Sequence, residues 1–81
     1  MNLSELRLRF DYHAPDEEKK ILHEHIRTKC LELAVFLQDN LLECRENSLA
    51  ITHLEDVMMW ANAAVARHPL KSKAYVMEEE H

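Results

Sequence analysis

Six histidines and two cysteines, Cys30 and Cys44, are the residues of this 81-residue chain that could ligate a metal. Their spacing argues against it. His23 and His25 are two apart on a helical stretch and point to different sides. His53 has no Asp, Glu or His partner at the following helical position, and the two cysteines lack metal-ligand spacing. Solvated helical histidines are the plainer reading. Cys30 and Cys44 are compatible with a disulfide without implying one, and reduced thiols of a cytosolic protein are the more ordinary case. Nucleophilic catalysis fares no better. Ser48 and Thr52 share a helix face, but no histidine or lysine is placed to activate either. Glu55 and Asp56 are adjacent and diverge, so they form no matched acid–base pair. The chain does not read as an enzyme, and no cofactor is called for.

Residues suited to binding are easier to find. Tyr12 sits beside His13 and Pro15 and offers a flat face to a base; equally, it packs over the end of the molecule. Arg27 and Lys29 diverge by ~200° on a helix. They serve different subunits, different parts of one ligand, or a solvated charged face. Arg67 ends a helix, where the dipole alone favours a cation. Met58, Met59 and Trp60 suit a ligand surface, although core or subunit interface is the commoner role at such spacing. Asn62 lies among apolar residues and needs hydrogen-bond partners; a buried amide of this kind fixes helix register between subunits in coiled coils.

These residues require helices to position them. Met1 to Arg9 reads as a short helix with Ser4 as its cap, and Phe10 to Pro15 as an extended connector, since Pro15 disfavours helix at Ala14. Asp16 to about Leu41 is a long helix, nearly 40 Å at ~1.5 Å per residue. Acidic Asp16, Glu17 and Glu18 occupy its first turn. Its apolar stripe is Leu22, Ile26, Cys30, Leu33, Leu37 and Leu41. After the connector Leu42-Glu43-Cys44, a second long helix runs from Arg45 to Arg67, with Ala50, Leu54, Val57, Ala61, Ala64 and His68 as its main face. Leu49, Met58 and Val65 flank that face, while Ile51, Met59 and Trp60 mark others. Pro69 ends the helix, and residues 69–81 read as a polar tail ending in Glu78-Glu79-Glu80. The expected fold is all-α, one antiparallel helical hairpin over residues 1–68 with a short N-terminal helix or lid over 1–15.

Composition narrows the function. The chain has no glycine, which excludes Gly-rich phosphate loops. A formal net charge of −5 argues against binding a DNA or RNA polymer. No apolar run approaches the ~20 residues needed to span a bilayer. Met1 to Phe10 carries Glu5, Arg7 and Arg9 and lacks the apolar stretch of a signal peptide. The helix over 45–67 is apolar on more than one face, and one helical partner cannot cover it. A chain this small has little else to cover it with, so a homo-oligomer with pockets between subunits is expected.

Three stretches together resemble one family. They are Arg9-Phe10-Asp11-Tyr12-His13-Ala14-Pro15, Arg45-Glu46-Asn47-Ser48-Leu49-Ala50-Ile51-Thr52-His53-Leu54-Glu55, and Met58-Met59-Trp60-Ala61-Asn62-Ala63-Ala64-Val65-Ala66-Arg67. The chain, from about Arg9 to His68, is similar to the bacteriophage anti-CBASS cyclic-nucleotide sponges, which share a helical hairpin domain with the phage sponges that counter Thoeris defence. The Met-Trp-Ala-Asn-Ala-Ala element is the specific part. The resemblance implies a non-enzymatic hexamer of hairpins in the cytoplasm of the infected bacterium. Such proteins hold cyclic oligonucleotide messengers away from immune effectors. It implies that cyclic dinucleotides such as cGAMP lie between paired subunits under the N-terminal lid. There Tyr12 stacks on a base and Arg27 or Lys29 faces the phosphates. It also implies a separate site for cyclic trinucleotides near a three-fold axis, with His13 and Arg67 as its candidates. Relatives tend to have proline and serine in the inter-helix connector where this chain has Leu42 and Cys44.

A second reading belongs to another class: a helical-hairpin adaptor that binds a protein partner through its Met58 and Trp60 surface. A sponge requires Tyr12 and a cation at one subunit junction. An adaptor requires an apolar patch left over after assembly.

Overall fold

Asn2, Asp16 and Cys44 each begin a helix. The computed structural model describes residues 1–71, which form α1 (Leu3–Phe10), α2 (Glu17–Asn40) and α3 (Arg45–Arg67) with no strand among them. The Oδ1 of Asn2 accepts from the Glu5 amide at 2.8 Å, so Asn2 and not Ser4 is the cap of α1. Asparagine and serine cap comparably, and Asn2 is the one whose side chain meets a free helix-start amide; at its other end α1 runs to Phe10, one residue beyond the expected Arg9. The Oδ1 of Asp16 caps α2 in the same way through the Lys19 amide at 2.8 Å. Pro15 precedes that cap and cannot continue a helix backwards.

The far end of α2 has no basic residue in its last turn. The Asn40 side-chain amide instead donates to the Phe36 carbonyl at 2.8 Å, and the Leu41 amide to the Leu37 carbonyl at 2.9 Å. Four residues, Leu41 to Cys44, then reverse the chain, and α3 returns antiparallel along α2. The Cys44 sulfur caps α3 by accepting from the Asn47 amide at 3.5 Å. Pro69 follows the last helical hydrogen bond, from the His68 amide to the Ala64 carbonyl at 3.2 Å.

The hairpin seam departs from the expected stripes. On α2 the half-buried apolar residues are Leu22, Ile26, Cys30, Ala34 and Leu37, whereas Leu33 and Leu41 are exposed. On α3 the covered residues are Ile51, Leu54, Met58, Ala61 and Val65, while Ala50, Val57, Ala64 and His68 are exposed. Ile51, Met58 and Val65 turn inward and remove more apolar area from water than Ala50 and Ala64, which stay outside with Leu49, while Ala61, Ala63 and Ala66 are half-buried. Asn62 finds its partner within the chain: the His23 Nδ1–H donates to its Oδ1 at 2.8 Å, tying α2 to α3. The Lys19 Nζ reaches the Ala66 carbonyl at 3.5 Å, a cation at the C-terminal end of α3.

Little is buried. Val65, at 7% exposure, is the one buried apolar residue among those described, and Asn47, at 6%, is the one buried polar residue. The Asn47 Oδ1 has no hydrogen-bond partner among the described residues. The molecule is a slab, 46 × 36 × 16 Å. Leu31, Leu33, Val35, Phe36, Val57, Met59 and Trp60 are all exposed. No residue of α1 is buried. Of the tail over 69–81, residues 72–81 lie outside the described region.

Candidate functional site

The segment between α1 and α2 carries the first candidates. Its extended backbone leaves the Tyr12 ring 86% exposed. His13 turns the other way. It is half-buried, and its Nε2–H donates to the Leu8 carbonyl at 2.7 Å, which fastens the segment to the last turn of α1. That ring nitrogen is already used, so His13 acts first as a clasp.

Arg27 and Lys29 are both exposed on α2. The Arg27 guanidinium meets the Glu24 carboxylate at 2.7 Å, one turn back on the solvent side. Such an exposed pair contributes little to stability, so the guanidinium is available to a stronger anion. Lys29 is also engaged by a neighbour. Arg27 lines a small apolar cavity of about 190 Å³ with Cys30, Leu31, Ala34, Ile51, Leu54, Glu55 and Met58; Tyr12 is not among its walls. Arg27 lies ten residues into α2, ~15 Å along the axis from the helix start that Tyr12 precedes.

The end of α1 and the last turns of α3, at the end of the hairpin where α2 begins, assemble a different group. Arg9 and Phe10 close α1, Trp60 and Arg67 lie on α3, and the four line a cleft of about 400 Å³. Phe10 is 81% and Trp60 70% exposed. Arg67 is therefore placed with Arg9 and two aromatic rings, and His13 is not among that lining but is bonded to Leu8, the residue before Arg9. Arg9, Phe10 and Trp60 did not stand out from the sequence as one site. Nothing local links positions some fifty residues apart; only the fold-back of α3 beside α1 does.

Three functional classes can be addressed directly. No group of three or more His, Cys, Asp or Glu residues is gathered in a way that could hold a metal ion, among the described residues. Both cysteine thiols are free, Cys30 half-buried and Cys44 exposed. No described helix is long and apolar enough to cross a membrane.

The model of one protein family, described as "Acb2/Tad1, hairpin domain", matches residues 3–66. That range takes in all of α1 and α2 and all but the last residue of α3. No curated protein and no solved structure matches the chain.

Proposed function

The chain belongs to the Acb2/Tad1 hairpin family, the family of anti-CBASS and anti-Thoeris sponges, and on that premise we propose that it sequesters cyclic oligonucleotide second messengers. The match over residues 3–66 is the observation that carries the reading. In this reading the protein acts in the cytoplasm of an infected bacterium. It binds cyclic dinucleotides, cGAMP among them, and keeps them from CBASS effectors without cleaving them. Residues 1–68 form the working domain, with 1–15 as its lid. The domain needs no cofactor and has no catalytic role.

A cyclic dinucleotide carries two negative charges and two flat bases. It requires a few cations and aromatic faces rather than a basic protein. Tyr12 supplies the aromatic face, free of packing at 86% exposure. Arg27 and Lys29 supply the charge. Arg27 lies ~15 Å along α2 from its start and Tyr12 is not among the residues around it, which favours a site completed by two subunits, each giving the same residues to a symmetric ligand. His13 and Arg67 are the residues offered to a cyclic trinucleotide.

Assembly follows from the shortage of core. With a single buried apolar residue described and a broad apolar surface left in water, the hairpin gains stability by covering that surface with further copies, and a hexamer is the expected form. An adaptor role draws on the same observation, but of its expected Met58 and Trp60 surface only Trp60 is exposed, with Met59 beside it, since Met58 is half-buried at the seam. The two readings part on the ligand. Calorimetry against a panel of cyclic di- and trinucleotides should give saturable binding. Heating the complex should then return the nucleotide intact by chromatography. A cleaved nucleotide would make the protein an enzyme, and an inert panel would leave the adaptor.

A further inference from the structure

The connector end of the hairpin holds a buried acceptor that the fold leaves without a donor. Asn47 is 6% exposed, and its Oδ1 has no hydrogen-bond partner among the described residues. An unpaired buried acceptor is costly, which favours a donor from outside the chain. Asn47 lines a cavity of about 270 Å³ with Gln38, Glu43, Ser48 and Ile51. A second cavity, of about 380 Å³, shares Gln38 and Ile51 with the first and adds Asp39 to the wall. Neither is lined by a lysine, an arginine or a histidine. Asp39 and Glu43 have no ion pair among the described residues. The last turn of α2 has no basic residue, so the negative end of its dipole is unmatched as well. At the start of α3, Glu46 already answers the positive end. A divalent metal ion needs oxygens converging on one point. Here each cavity has one carboxylate, and the apolar Ile51 is common to both.

We infer that the two adjoining cavities form a binding site for a short aliphatic diamine. One ammonium meets the Glu43 carboxylate and the Asn47 Oδ1, the methylene chain lies over Ile51, and the second ammonium meets Asp39. Gln38 gives its amide oxygen to either end. An ammonium donates three hydrogen bonds and accepts none, which matches a wall of acceptors. The formal charge of −5 gathers such cations around the chain. A lysine of a second copy brings the same chemistry but only one charge, and so leaves one of the two carboxylates unmatched. The polar residues of this site line neither the Arg27 cavity nor the cleft at Arg67, so it stands whether or not the protein is a sponge.

Putrescine (butane-diamine) titrated into the full-length protein at low, constant ionic strength should give saturable heat by calorimetry and raise the melting temperature. Butylamine, which lacks the second charge, should bind about fivefold more weakly or worse. Glu43→Gln and Asp39→Asn, both at exposed positions, should each weaken the diamine about fivefold, the upper range for an exposed ion pair. Asn47→Leu removes the unpaired acceptor. It should hold or raise the melting temperature of the free protein while weakening the diamine. A sodium chloride or magnesium chloride control that matches the diamine at equal ionic strength would reduce the effect to screening and overturn the site. Diamine affinity unchanged in Glu43→Gln would overturn it too. Heat that appears only once the protein is diluted into separate subunits would assign the cavities to a neighbouring copy instead.

Discussion

Cys44 caps α3 with a sulfur, a weaker acceptor than the hydroxyl or carboxylate oxygens that usually hold this position. Cys44→Ser should stabilise the protein by ~0.5–1 kcal/mol. The melting temperature at fixed protein concentration should rise by a few degrees. An unchanged melting point would mean that the Asn47 amide gains nothing from a shorter bond. The binding residues give a second prediction. Tyr12→Ala should weaken cyclic dinucleotide binding strongly, because stacking is worth ~1–3 kcal/mol per base and a symmetric site loses two stacks. Arg27→Ala and Lys29→Ala should differ. The residue that meets phosphate loses affinity and salt dependence, and the other changes little. Retained affinity in folded Tyr12→Ala, read by calorimetry, would reduce the tyrosine to packing. Residue type and spacing made these three candidates visible. They did not reveal that His13 is spent on the Leu8 carbonyl or that Asn62 pairs with His23 thirty-nine residues away. Hydrogen bonds of the second kind depend on register between helices, which no local pattern encodes.

The two long helices were readable almost to their ends, because acidic first turns, a four-residue connector and Pro69 are local signals. The inward face of α2 was readable as well, since Leu22, Ile26, Cys30 and Leu37 of its expected stripe are half-buried, but that of α3 was readable only at Leu54 and Ala61. Periodicity put Ala50, Val57 and Ala64 on the main face of α3 and Ile51, Met58 and Val65 beside it, and the structure covers the latter three and exposes the former. The choice leaves distinct roles for two alanines. Ala61 lies half-buried at the hairpin seam and Ala64 on the outside. Ala61→Leu should overpack the seam and cost ~1–3 kcal/mol, seen as a lower melting temperature. Ala64→Leu barely alters helix propensity, so its effect depends on a neighbouring backbone approaching that edge. It should shift the assembly to smaller species by light scattering. An unchanged size would mean that subunits meet elsewhere.

The whole chain is a slab 16 Å thin, with its apolar side chains largely on its surface. Light scattering at micromolar concentration should therefore find no stable folded monomer. A folded monomer that persists on dilution would remove the premise of shared pockets. The sparse core was legible from a helix apolar on several faces in a chain too short to cover it. The cleft at Arg9, Phe10, Trp60 and Arg67 was not, since it arises only where the two ends of the molecule meet.

The thinness of that slab also makes dose a structural variable. Where neighbours supply the core, folding obeys mass action, and dilution unfolds the chain as surely as heat does. Chains made early, while scarce, stay open to proteases, and those made later shelter one another. For the proposed sponge, the capacity to soak up a messenger would then climb more steeply than the rate of synthesis, a threshold that belongs to the population of molecules and to no single one of them.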